Sequence, residues 1–427
     1  MKKIEDIKWA CIQPLTGGMY IGALEAIGHD AEFILSYEGL DEVKHSKDGS
    51  MTSVANEYNL IQWLKSHGKN VPYYKIHRPM FDLDVEEMNP EITCNDVQKT
   101  PDYADLDLVV SVPVCSGLSM ATSATADTKN ARNCNMIWLA NYALNKIHPK
   151  MYIFENAPTL MGSRGTELRT IFEKMAMKYG YSLLYYKTDT SLHDNCQKRP
   201  RTFVIFQKWE NGVQSGPAQF KLCDNQVDAI TFFKRIPIGL EQDIPVKSSP
   251  HNYMMIDFIK EDLGKDWSEK IDGCLMNSVI ARNKLDDFLN YINKHREDYP
   301  TKDVDRAIKY ISHIKYKTSI GKNYYGDDIC LCKDKFPAIQ FRSIPNLLHP
   351  SGKRLCTIRE YLELMGMPHD FILYGDTSNL PKIGQNVPVK TAKWIVENAV
   401  KILVNDEPRL AGSDNVVFQD NIKKQVA

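Results

Sequence analysis

Short apolar runs of strand length alternate with helical patterns through the first half of this chain. The runs are IKWACIQPL (7–15), AEFILSYE (31–38), LDLVVSV (106–112), KMYIFE (150–155) and RTFVIF (201–206). Between them lie GGMYIGALEAIG (17–28), a turn and a helix with Tyr20, Ala23, Leu24 and Ile27 on one face, and helical stretches such as ELRTIFEKMAMKYG (167–180). Strands that alternate with helices imply an α/β fold, a parallel sheet with helices on both faces. Ligands of such sheets bind beyond the carboxyl ends of the strands. Reactive residues near these strand ends therefore carry the most information. Cys115 follows LDLVVSVPV, Glu155 closes KMYIFE, and Arg201 opens RTFVIF with Arg199 two residues before it.

The bulk numbers bound the rest. A chain of 427 residues can bury one large core or two smaller ones. Apolar residues make up 43% and charged residues 25%, as in ordinary globular proteins. No stretch approaches 18 uninterrupted apolar residues, so no membrane span is expected. The start, MKKIEDIKWACIQPL, is too acidic and too short in its apolar part for a signal peptide. The ten cysteines form no paired framework, and Cys330 and Cys332 are spaced for neither a disulfide nor a zinc site. Reduced thiols in a cytoplasmic protein are the expectation. A net charge of −1 argues mildly against nucleic acid as a partner, yet a local basic cleft suffices for phosphate contacts.

The alternation fades after Trp209 and resumes near Phe336. Residues 210–335 are expected to form a smaller domain inserted into a first one made of 1–209 and 336–405. The segment VKTAKWIVENAVKILV (389–404) reads as a helix, and 406–427 as a loose polar tail. Within the insert, KYISHIKYKTSIGKNYYG (309–326) interleaves Lys309, Lys315, Lys317 and Lys322 with Tyr310, Tyr316, Tyr324 and Tyr325. It reads either as a solvated strand pair or as a surface for phosphates and bases, with Lys315 and Lys317 as contacts.

Each reactive residue has a bland reading as well. A lone cysteine after an apolar strand is most often buried filler. A glutamate at a strand end is usually solvated or a helix cap, and two arginines one residue apart usually mark an exposed basic edge. Together, however, a thiol, a carboxyl group and two guanidiniums could attack, protonate and clamp an electron-poor ring. The carboxyl group would have to carry a proton near neutral pH, which partial burial favours. The Ser/Thr/Ala-rich stretch after Cys115 suits a nucleophile on a loop that closes over a substrate.

The order of these segments resembles the cytosine-C5 methyltransferases. V-C-S-G-L-S (114–119), E-N-A (155–157) and Q-K-R-P-R (197–201) are similar to motifs IV, VI and VIII of that family, which read P-C-Q-x-x-S, E-N-V and Q-x-R-x-R. HPSGKRLCTIREYLELMGMPHDF (349–371) resembles motif IX, IGQNVP (383–388) motif X, and LTGGMYIGALEAIG (15–28) the second half of motif I. The resemblance implies a Rossmann-like S-adenosylmethionine-dependent fold with an inserted target-recognition domain. It implies that Cys115 attacks C6 of cytosine, that Glu155 serves N3, and that Arg201, with Arg199 beside it, binds the base. Ser119, Asn156 and Gln197 complete the motifs as substrate contacts. On the donor side it points to Thr16, Gly17, Gly18, Glu38, Asp96, Pro113, Gln385 and Asn386. A glycine pair lets backbone approach a nucleotide-like ligand, and an acid after the second strand can bind ribose hydroxyls.

The sequence departs from the family at several of these positions. Motif I has Gln13 where an aromatic is usual and Leu15 where a glycine is usual. Val114 replaces the proline before the cysteine, Ser116 the glutamine after it, and Gln385 a motif X asparagine. The reading is a cytosine-C5 methyltransferase that takes a flipped cytosine from double-stranded DNA as a monomer, with S-adenosylmethionine as donor. Alternatives are an RNA substrate, a modified donor, and a methyltransferase-like binding protein without activity.

Overall fold

The computed structural model describes residues 2–36, 43–77, 91–94, 97–98, 101–113, 118, 131–274, 284–321, 329–339, 346–375, 379–405 and 414–422. The chain divides into two compact units. The first comprises Met1–Asn195, Arg199–Gln226 and Met365–Ala427; the second comprises Cys196–Lys198 and Val227–Leu364. The insert thus begins later and ends later than the expected 210–335. Residues 210–226 stay with the first unit because their backbone bonds there: Phe220 to Gln419, Lys221 to Asn398 and Cys223 to Asn421.

Ten described strands of the first unit form one sheet. They are β1 (Trp9–Ile12), β2 (Ile34–Ser36), β3 (Tyr73–His77), β4 (Glu91–Cys94), β5 (Val97–Gln98), β6 (Leu108–Ser111), β7 (Met151–Asn156), β8 (Tyr181–Asp189), β9 (Pro200–Lys208) and β10 (Val416–Asp420). Their order is β10-β8-β9-β7-β6-β1-β2-β3-β4-β5. The central strands β7, β6, β1, β2 and β3 run parallel, and β9 enters antiparallel between β7 and β8. β1, β6 and β7 are buried at every residue, so they read as continuous apolar runs rather than as alternating ones. On one face Tyr152, Phe154 and Phe206 pack with Leu168, Phe172 and Ala176 of the helix Thr166–Tyr179. Phe154 meets Phe172 edge-on at 5.3 Å. Truncating a ring in such a cluster costs about 3–5 kcal/mol.

Residues 416–420 correct the loose-tail expectation. They pair parallel with β8 from Leu183 to Lys187, and Phe418 stacks on Tyr185 at 4.9 Å. V-V-F supplies the β propensity that the polar flanks hid in the sequence. The rest of the expected tail, 406–413 and 423–427, lies outside the described residues.

In the second unit the helices Pro250–Leu263, Leu285–Lys294 and Thr301–Ser319 bury Ile256, Phe258, Phe288, Ile292, Ile311 and Ile314 together. The Lys/Tyr stretch is therefore helical up to Ser319 and not a strand pair; 322–328 lie outside the described residues. Buried Val304, Ala307, Ile311 and Ile314 recur at a helical period. A second correction concerns Cys330, which is disulfide-bonded, whereas Cys11, Cys134, Cys196, Cys223, Cys332 and Cys356 are free thiols. Strand pairing sets Cys330 opposite Cys274, a neighbourhood that spacing along the chain does not reveal.

Candidate active site at the carboxyl edge of the sheet

β7 runs out at Glu155 and Asn156, and β9 starts beside it, with Phe203 opposite Glu155 and Thr202 opposite Asn156. Because side chains alternate, Arg201, Phe203 and Glu155 share one face, while Asn156 and Thr202 face the other way. Arg201 Nε lies 2.6 Å from Glu155 Oε1, with the carboxylate side chain 4% exposed and the guanidinium 18% exposed. An ion pair this enclosed fixes the orientation of the carboxyl group, and removing either partner would strand a charge. Asn156 is fully buried; its Oδ1 accepts from the N–H of Ala157 at 2.9 Å and its Nδ2 reaches Met136 Sδ at 3.4 Å. These bonds shape the turn after the strand.

Arg199 does not continue the strand that carries Arg201. It sits in the break between Gln197–Lys198 and β9, and its side chain is buried. Its N–H donates to Asp189 Oδ1 at 3.1 Å, and its Nη2 donates to the carbonyls of Gly384 and Asn386, each at 2.8 Å. A planar fork of donors suits two adjacent carbonyls. Arg199 thus holds the 384–386 loop. Gln197 is also committed to backbone: Nε2 donates to Leu364 and Oε1 accepts from Ile339, both at 3.1 Å.

The same loop meets the turn after β1. Thr16 Oγ1 donates to the Lys382 carbonyl at 2.9 Å, and the N–H of Gly18 donates to Asn386 Oδ1 at 2.6 Å. The glycine pair serves this packing. A Cβ on Gly18 would lie 1.9 Å from the Val387 carbonyl oxygen, and Gly17 has φ +112° with Leu60 against it. Leu15, where the family pattern has glycine, still takes the left-handed conformation at φ 54°, as does Gln13 at φ 51°. That conformation costs a side-chain-bearing residue about 1–2 kcal/mol, and such strain clusters at functional sites. Gln13 is fully buried, and neither atom of its amide has a hydrogen-bond partner. Sequence reading flagged Gln13 only as a departure from a motif. Gln385 is half-buried, and its Oε1 is a further buried atom without a partner. Pro113 is buried just past β6. Cys115, Ser119, Glu38 and Asp96 lie outside the described residues, as do Val114 and Ser116.

In the second unit Lys315 is ion-paired with Asp286, and Lys317 is half-exposed on the same helix. The outward face of that helix carries Lys302, Arg306, Lys309 and Tyr316, all exposed. Their spacing of three, four and seven residues is one helical stripe, legible in the sequence once the segment is read as a helix.

A family model described as C-5 cytosine-specific DNA methylase matches residues 73–401. No curated protein matches the chain in sequence. Among solved structures, the Entamoeba histolytica methyltransferase EhMeth superposes with a TM-score of 0.52 at 10% identity, over 96% of this chain and 100% of that one. This likeness is one of fold. A prophage-encoded E. coli protein described as a DNA modification methyltransferase gives 0.48 at 14% identity, over 93% and 99% of the two chains. The S. pombe Dnmt2 methyltransferase gives 0.45 at 12%, over 94% and 99%.

Proposed function

The chain belongs to the C-5 cytosine-specific DNA methylase family, and we propose that it methylates C5 of a cytosine flipped out of double-stranded DNA. S-adenosylmethionine supplies the methyl group as an electrophile. The observation that carries the reading is the Glu155–Arg201 pair, where the carboxyl end of β7 lies beside the amino end of β9. It presents one oriented carboxyl group and one guanidinium to a single face, which suits the N3 and O2 atoms of a cytosine.

In this reading the Cys115 thiolate adds to C6 while N3 takes up a proton from solvent that the Glu155 carboxylate holds in a hydrogen bond, so the ring accepts the electron pair. Arg201 stays on the face of Glu155 and binds O2, stabilising charge on that oxygen. C5 takes the methyl group and S-adenosylhomocysteine is released; water then takes the C5 proton, and the C5–H electron pair restores the C5–C6 double bond and expels the Cys115 thiolate. Covalent addition divides one difficult step into two easier ones. Arg199 acts at one remove, by holding the loop that also receives Thr16 and Gly18. The residues beyond β1 fit a polar donor, since the Gln13 amide is buried with its hydrogen-bonding capacity unmet.

The second unit is assigned target recognition, in support of which stands the basic helix stripe. Duplex DNA bearing 5-fluorocytosine tests the chemistry. Fluorine does not leave as a proton, so elimination stalls, and a denaturation-resistant complex mapping to Cys115 is expected when donor is present. Trapping on fluorinated RNA alone would move the substrate to RNA, and no adduct on either would remove C6 addition.

A further inference from the structure

We propose that Gln13 recognises the adenine edge of the methyl donor through its side-chain amide, an inference that rests on the donor assignment above. Gln13 is the first residue past β1, and its N–H donates to the Leu35 carbonyl at 2.7 Å, where β1 and β2 run side by side. Ligands of this sheet class bind beyond those strand ends. Its side chain is fully buried, yet both Nε2 and Oε1 are without partners. A primary amide in that state is unfavourable unless something else meets its hydrogen bonds. The backbone is also held at φ 51°, a conformation that glycine would adopt more readily. The position thus keeps a polar side chain against both its burial and its backbone.

A second buried amide atom points the same way. Gln385 Oε1 has no partner and belongs to the loop that Thr16 and Gly18 bond to. Two adjoining loops therefore carry unmet hydrogen-bonding capacity, and a polar ligand between them would satisfy both.

The chemistry of the amide selects the part of the donor. An amide offers an acceptor and two donors in one plane and carries no charge. The methionyl end of the donor is fully charged and calls for charged or clustered partners. A ribose diol is met by an acidic residue in sheets of this kind. The adenine edge presents an amino donor beside a ring-nitrogen acceptor, and glutamine pairs with that edge by two bonds. Gln13 would then give by hydrogen bonding the selectivity for adenine that an aromatic residue cannot give by stacking.

The experiment is calorimetry on the full chain with S-adenosylhomocysteine and with S-inosylhomocysteine, whose 6-oxo group puts an acceptor beside the N7 acceptor where adenine has an amino donor, an edge that no flip of the amide can match. Wild-type protein is expected to prefer the adenosyl compound by roughly tenfold. Gln13→Met keeps the size and removes the amide. It should bind S-adenosylhomocysteine about tenfold more weakly and lose the preference. Its ligand-free thermal midpoint should rise, because an unpaired polar group has left the interior. Gln13→Leu serves the same readouts if the methionine variant does not fold. Unchanged affinity and preference in the variant would overturn the proposal, and so would a fall in ligand-free stability together with affinity, the mark of a merely structural residue. Wild-type protein that binds both compounds equally refutes the adenine contact alone. Wild-type protein that binds neither refutes the donor assignment itself.

Discussion

The N–H of Gly18 donates to Asn386 Oδ1 at 2.6 Å, joining residues 368 positions apart in the chain. The start of the first helix and the loop before the closing helix Val389–Asn405 are thereby fixed to each other. Gly18→Ala would place a Cβ 1.9 Å from backbone, the Val387 carbonyl oxygen. Backbone cannot rotate away as a side chain can, so the variant should lose about 3 kcal/mol of stability. Asn386→Ala should lose about 1–3 kcal/mol by leaving a buried N–H unmet. Urea titration measures both, and the double variant should lose less than the sum because the two act on one contact.

The Glu155–Arg201 pair gives a second expectation. Glu155→Gln keeps the shape of the side chain and removes its charge. Turnover should fall by about 10²-fold or more, while the variant still folds but loses about 3 kcal/mol of stability, because the Arg201 charge is left without its partner. Single-turnover kinetics with circular dichroism separates the two effects. Near wild-type turnover would remove Glu155 from the chemistry.

The basic stripe on the helix Thr301–Ser319 predicts a salt effect. Replacing Lys302, Arg306 and Lys309 by Gln should weaken nucleic-acid binding and flatten the log–log salt slope by about 2–3. Lys315→Gln should change the slope little, because that ammonium is already ion-paired with Asp286. Fluorescence anisotropy across a salt series is the measurement, and an unchanged slope in the triple variant would move the contact surface elsewhere.

His193 gives a pH expectation. Burial pushes its pKa down to about 3 from the usual 6.5, so the folded protein keeps the ring neutral. The unfolded chain binds that proton below about pH 6.5 and the folded one does not. Stability should therefore fall as pH drops from 6.5 toward 3. His193 Nε2 and Thr188 Oγ1 share a hydrogen bond at 2.8 Å, and Asn421 Nδ2 donates to the same hydroxyl at 3.0 Å. His193→Asn should flatten this part of the stability profile in urea titrations at stepped pH.

Much of the sheet was legible because its strands are buried on both faces and read as apolar runs ended by reactive residues. Glu155 and Arg201 could be placed at the ends of apolar runs from that pattern, but their ion pair could not, since it depends on β9 lying beside β7. Arg199 could not be separated from Arg201, because a break of one residue in the strand leaves no mark in the sequence. The glycine pair was read as room for a ligand, whereas Val387 and Leu60 fill the space beside it. Contacts across more than 300 residues, such as Thr16 to Lys382, have no local signature. The Lys/Tyr stretch was read with strands in view because tyrosines favour strands. The buried Val304, Ala307, Ile311 and Ile314 of the helix that contains it carry the helical period that decides.

The central claim is that this chain methylates C5 of cytosine in DNA through Cys115. Mass spectrometry of nucleosides from cells that express the chain, beside cells that express Cys115→Ala, tests it most directly. The account predicts 5-methyldeoxycytidine in DNA with the wild-type chain and none above background with the variant. 5-Methylcytidine confined to RNA, or equal modification of DNA by both proteins, would contradict it.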